Sequence, residues 1–159
     1  MMRKSLLILG MLATAGFLVA LVRGYQGGAD AEALQQHLFW ALGASLLMLL
    51  SHSAILIYLA ATRRVVGRLV RELGLSEELS AQAQKHLLTA LPAGLLAVSF
   101  LVLAAMAGGG VWARFAPFWT HHALIYAALV LQLWAMWRES SALARQDRLI
   151  ADLDLQAGA

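Results

Sequence analysis

Residues 38–61 read LFWALGASLLMLLSHSAILIYLAA, and no charged side chain interrupts them. At a helical rise of about 1.5 Å per residue such a stretch covers about 36 Å, enough to cross about 30 Å of hydrocarbon. Lipid offers a backbone amide no partner, so the stretch must pair its own amides as a helix. Apolar and polar residues do not alternate with period two, which argues against a strand. The helical signal also continues past the apolar part. TRRVVGRLVREL at 62–73 keeps the period, with Val65, Val66, Leu69, Val70 and Leu73 on one stripe, and Gly74 ends it.

Three more runs have the same character: Leu6–Val22, Leu87–Ala107 and Phe118–Trp137. The expected fold is an all-α membrane protein, a four-transmembrane-helix bundle with cytoplasmic helical extensions, forming a single domain over 1–159. Composition agrees. Of 159 residues 61% are hydrophobic and 13% charged, roughly half the charge share of a soluble domain. Cysteine is absent, which excludes disulfides, thiolate metal sites, iron–sulfur clusters and covalently attached haem. No internal repeat or low-complexity segment is apparent. Arg3 and Lys4 before an apolar run, with Ala13-Thr14-Ala15 behind them, resemble a secretory signal. The run continues through Phe17, Leu18, Val19, Leu21 and Val22, which fits an uncleaved anchor better.

Charge sets the expected orientation. With the N-terminus inside, Arg3, Lys4, Arg63, Arg64, Arg68, Arg71, Lys85, Arg138, Arg145 and Arg148 are cytoplasmic, and only Arg23 and Arg114 are outside. Ten against two is a strong positive-inside bias and places both termini in the cytoplasm. It also accounts for the net charge of +3 without nucleic acid as a partner. Trp40, Trp112 and Trp119 fall near the outer interface, and Trp134 and Trp137 near the inner one, as an aromatic belt requires. Short loops and the lack of a targeting peptide point to a bacterial inner membrane, with the lipid bilayer as the first partner.

Between the spans, Gly24–Asp30 reads as an outer turn with Asp30 as a helix N-cap, and Gly108–Pro117 as the second outer loop. Ser76, Glu77 and Glu78 start a helix that runs into the third span. Spans two and three therefore form a hairpin projecting two to three turns into the cytoplasm. Pro92 is expected to kink the third span by freeing the Leu88 carbonyl. After Trp137 an amphipathic helical tail covers 138–156. Its stripe of Ala142, Leu143, Leu149, Ile150 and Leu153 is expected to pack on the projecting hairpin or on a partner.

Polar side chains inside a span are costly and mark function or helix contacts. Counting depth from the inner boundary puts Thr14, His52, Ser99 and Gln132 in one buried polar layer. His121, Gln132 and Glu139 share one face of the fourth helix. The structural reading of the layer is hydrogen bonding between helices. The functional reading is a ligand or proton site centred on His52. His86, just before the third span, reads as a solvated interfacial residue. Arg63, Arg64, Arg68 and Arg71 read as anchors to anionic phosphate.

A second layer near the outer face contains His37 and either His121 or His122. Haem b takes an imidazole on each side of its ring, so histidines at matched depth on two helices fit cofactor binding. A divalent metal needs a third ligand, for which Asp30 and Glu32 are the outer-side candidates. Such a histidine-bearing four-span bundle is broadly similar in architecture to the membrane haem b subunits of respiratory enzymes, without a shared motif. Phosphate-binding glycine loops, nucleophile elbows and HExxH zinc motifs are absent from the sequence. The expected function is a haem- or metal-binding subunit of a redox complex, not an enzyme on its own. The alternatives are a non-catalytic accessory or assembly subunit, bound to a larger membrane complex or to copies of itself, and a proton or ion path lined by His121, Gln132, His52 and Glu139.

Overall fold

The structure, a computed structural model, describes residues 2–26 and 30–157. Four helices follow in order: α1 (Met2–Gln26), α2 (Ala31–Leu73), α3 (Glu77–Trp112) and α4 (Phe118–Ala157). No strand occurs among the described residues. The helices α1, α2 and α3 are each long and apolar enough to cross a membrane. The chain divides within α2 into two compact units, Met1–Ser53 and Ala54–Ala159, each described here by itself.

The distribution of side chains is that of a membrane protein. The buried set is rich in alanine and includes Ser51, His52, His86, Gln132, Glu139 and Gln146, whereas Leu46, Ile57, Met106 and Val130 are exposed. In water such a surface would be strongly unfavourable, because apolar area is driven inward. In lipid the large residues lose nothing by facing outward, and small residues inside let helix backbones approach.

The helix ends follow from local chemistry. The Asp30 side chain accepts a hydrogen bond from the Glu32 amide at 3.1 Å and its carbonyl accepts from Leu34 at 3.1 Å, starting α2. Residues 27–29 of the expected outer turn lie outside the described residues. Gly74 adopts φ +65°, the left-handed conformation that ends a helix cheaply at glycine. Two residues later the Ser76 hydroxyl accepts from the Glu78 amide at 3.3 Å and caps α3. α3 continues through Pro92 as one helix.

Two boundaries differ from expectation. α1 runs past Gly24 to Gln26, and α3 runs through Gly108, Gly109 and Gly110 to Trp112. The glycines do not break these helices. Gly110 faces Ala116, and Gly24 and Gly108 face histidine rings. The connection between α3 and α4, expected as the second outer loop, is thereby reduced to 113–117, with Arg114 at φ +61°.

In the second unit, α3 and α4 form a hairpin. The buried positions of α4 are Ala128, Gln132, Ala135, Glu139, Ala142, Gln146, Leu149 and Leu153, together with Leu143. The first eight step by four and three residues in strict alternation, the spacing of a helix seam packed in heptads. On α3 the buried positions are Ala83, His86, Ala90, Ala93, Gly94, Ala97, Leu101 and Ala104. Ala93, Ala97 and Ala135 form one cluster with Leu131 against it. Towards the other end, Val66 and Val70 of α2 pack with Ala83 of α3 and with Leu149 and Leu153 of α4. Val65 and Leu73 of the expected stripe are exposed instead.

His86 corrects a sequence expectation. It is buried, and its Nδ1 lies 2.9 Å from Gln146 Oε1. An amide oxygen only accepts, so Nδ1 carries the proton and donates. Removing either partner strands the other. The variant His86→Leu should lower stability by about 1–3 kcal/mol, and adding Gln146→Leu should recover part of that loss, because an apolar pair leaves no stranded polar group. Unfolding midpoints of the two single variants and the double variant in detergent check this. Strictly additive losses would contradict the bond.

Candidate functional site

Two histidines close two helical hairpins in the same way. In the first unit His37, near the start of α2, places Nδ1 2.8 Å from the carbonyl oxygen of Ala20 on α1. In the second unit His121, near the start of α4, places Nδ1 2.9 Å from the carbonyl oxygen of Ala104 on α3. A carbonyl oxygen is only an acceptor, so each ring donates from a protonated Nδ1. Both imidazoles are half-buried.

A glycine makes each contact sterically accessible. A β-carbon on Gly24 would lie 3.0 Å from Cε1 and Nδ1 of His37. One on Gly108 would lie 2.9 Å from Cε1 and 3.1 Å from Nδ1 of His121. In both hairpins the glycine stands one helical turn after the alanine whose carbonyl is bonded, and the histidine follows that carbonyl by 17 residues. The shared pattern is alanine, three residues, glycine, twelve residues, histidine.

This pattern reveals an internal repeat that inspection of the sequence alone does not. A shift of 84 residues relates Ala20 to Ala104, Gly24 to Gly108 and His37 to His121. The same shift pairs Gly10 with Gly94, Ala13 with Ala97, Ala44 with Ala128 and Leu59 with Leu143. All eight of these last residues are buried. The halves diverge where polar groups stand. Gln132, Glu139 and Gln146 of the second half correspond to Met48, Ile55 and Thr62 of the first.

The second histidine of α4 takes no part in the clamp. Its Nδ1 contacts the Phe118 carbonyl of its own helix at 3.1 Å, and its ring lies 4.0 Å from that of Phe118.

Of the expected inner layer, Thr14 and His52 of the first unit and Gln132 of the second are buried. The Thr14 hydroxyl donates to the Gly10 carbonyl of its own helix at 2.9 Å. Ser99 does not belong to the layer, because it lies on the exposed face of α3. Counting depth fixes height along a helix but not direction. Two residues beyond the buried Ala97, Ser99 is turned by about 200°.

Metal-ligating histidines typically donate the other ring nitrogen to a carbonyl or carboxylate, which fixes tautomer and ring plane. Both clamps supply that bond. Among the described residues no three His, Asp or Glu side chains are grouped to hold a metal ion. Asp30 and Glu32 are accordingly not grouped with a histidine into such a set among the described residues. Comparison with protein-family models, curated proteins and solved structures finds no match.

Proposed function

We propose that this chain is a four-span inner-membrane protein of a bacterium, with both termini cytoplasmic, that binds haem b as a subunit of a redox complex, with His37 of the first unit and His121 of the second as candidate ligands. The observation that carries this reading is the repeated clamp, in which each Nδ1 bonds a carbonyl oxygen of the preceding helix, the second bond that a metal-ligating imidazole typically makes. The repeat keeps a histidine at the equivalent position of each unit. The topology is supported by the ten-to-two distribution of basic residues. α4 is counted as the fourth span because Gln132 and Glu139 are buried while Tyr126, Val130, Leu133 and Trp137 are exposed. Its average polarity therefore overstates what lipid would meet.

When bound, haem supplies one-electron chemistry. The chain's own part is to present each Nε2, keep Nδ1 protonated and hold the ring plane through the carbonyl bond.

The test is an absorption spectrum and haem assay of the full chain purified from haem-sufficient cells. A Soret band is expected. His37→Ala and His121→Ala should each abolish it while helix content survives, and His122→Ala should leave it in place. A protein without haem, or an equal loss in all three variants, would discard haem binding and make the non-catalytic accessory subunit the better reading.

A further inference from the structure

α2 carries two unlike faces beyond its apolar part. Val66 and Val70 are buried against α3 and α4. Arg63, Arg64, Arg68 and Arg71 stand on the other side and are exposed, and with Gly67 and Ser80 they line a groove. Gly67 is buried at the floor of the groove. A β-carbon there would lie 3.4 Å from Ser80 Oγ and 3.7 Å from Arg71 Nη1. A hydroxyl from α3 and a guanidinium from α2 therefore converge over a position with no side chain of its own.

No ion pair or hydrogen bond within the chain engages these four guanidinium groups among the described residues. The nearby Glu78 accepts a hydrogen bond from Gln82 at 3.4 Å. The internal repeat sharpens the point. At the equivalent places in α4, Asp147 stands for Arg63, Asp152 for Arg68 and Leu155 for Arg71, and only Arg64 has an arginine, Arg148, as its counterpart. At three of the four places, therefore, the frame does not require arginine.

We propose that the groove binds an anion with two or more phosphoryl groups. Guanidinium groups are planar forks that match phosphate oxygens in pairs. From Arg63 to Arg71 the helix rises about 12 Å, long enough for more than one phosphate along the row. The Ser80 hydroxyl adds a neutral donor at the floor. Two sources share this chemistry: a bisphosphate lipid headgroup, and a free oligophosphate from the aqueous phase.

The experiment uses the full chain in zwitterionic detergent, titrated calorimetrically with inorganic pyrophosphate. In parallel, the chain in nanodiscs of phosphatidylcholine with or without cardiolipin is assayed for retained lipid by native mass spectrometry. Saturable binding in the first arm assigns a free ligand. Retention of cardiolipin without pyrophosphate binding assigns a lipid, and mutual displacement assigns both to one groove. Arg68→Gln with Arg71→Gln, both exposed, should weaken binding by about tenfold or more. Gly67→Leu keeps every charge but fills the floor, and should weaken it comparably. Ser80→Ala removes one oxygen and no charge, so it tests the same floor with a smaller loss should the leucine disturb folding. The proposal is overturned if neither probe binds. It is equally overturned if Gly67→Leu and Ser80→Ala both match the original chain while only the arginine variants weaken, since that is unspecific charge attraction.

Discussion

Gly108→Leu should destabilise the α3–α4 hairpin by about 2–3 kcal/mol, and Gly109→Leu, one residue on, should stabilise it. The opposite signs follow from what each new side chain meets. In a helix interior, glycine is worse than leucine by about 0.8 kcal/mol, so an unhindered replacement is a gain. At Gly109 nothing lies within 4 Å of the added β-carbon, and the gain is realised. At Gly108 the β-carbon alone would come within 2.9 Å of the His121 ring, before the rest of the leucine is added. The ring must swing away and give up its bond to the Ala104 carbonyl, and the crowded helix ends must part. Unfolding midpoints in detergent read the signs. If both variants moved in the same direction, the glycine would not be serving the clamp. Under the proposed haem-binding reading, the Soret band is expected to fall in Gly108→Leu with the clamp and to stay in Gly109→Leu.

Ala135→Leu should cost about 2–3 kcal/mol or more, whereas Val130→Leu should be nearly neutral. Ala135 has no exposed surface and lies in the small-residue cluster with Ala93 and Ala97. The backbones of α3 and α4 approach there because all three side chains are single methyl groups. Three extra carbons have no space and force displaced rotamers or separated helices. Val130 is 66% exposed on the opposite face, and its replacement only adds lipid-facing surface. Thermal unfolding of both variants in one detergent, followed by near-ultraviolet circular dichroism, makes the comparison. An Ala135→Leu variant as stable as the original chain would mean that the helices do not meet closely at this level.

How far these features were legible in the sequence depends on the physical signal each one leaves. Long helices leave a strong signal, because an uninterrupted apolar run and an unbroken period are local properties. The Ser76 cap and the extension of α2 to Leu73 were legible for that reason. The glycines at 24 and 108–110 were misleading. Glycine marks a chain break and a close approach equally well, and only the neighbour across the hairpin tells them apart. Burial was legible for Thr14, His52 and Gln132, but Ser99 shows that depth without direction is half of a position. His86 looked solvated because a histidine beside Lys85 resembles an interfacial residue, and its partner Gln146 lies 60 residues away.

The repeat was hidden for a related reason. Its preserved positions are mostly alanine, glycine and leucine, which are common throughout this chain, and the polar residues that attract attention are those that changed. His37 and His121 were visible as candidates, yet His121 and His122 could not be separated by sequence. The first turns toward α3 and the second back along α4, which adjacent residues on a helix do by geometry alone.

The separation of 17 residues within each clamp also bears on the order of events during synthesis. A bond between residues so near in the chain closes a short loop at small entropic cost and waits for nothing further downstream. The His37 clamp is complete in the nascent chain once the first turns of α2 have formed, before α3 and α4 exist. The His121 clamp repeats the step 84 residues later. Each clamp is therefore a local event in the growing chain, and the non-local choices left to assembly include the packing of Val66 and Val70 against α3 and α4.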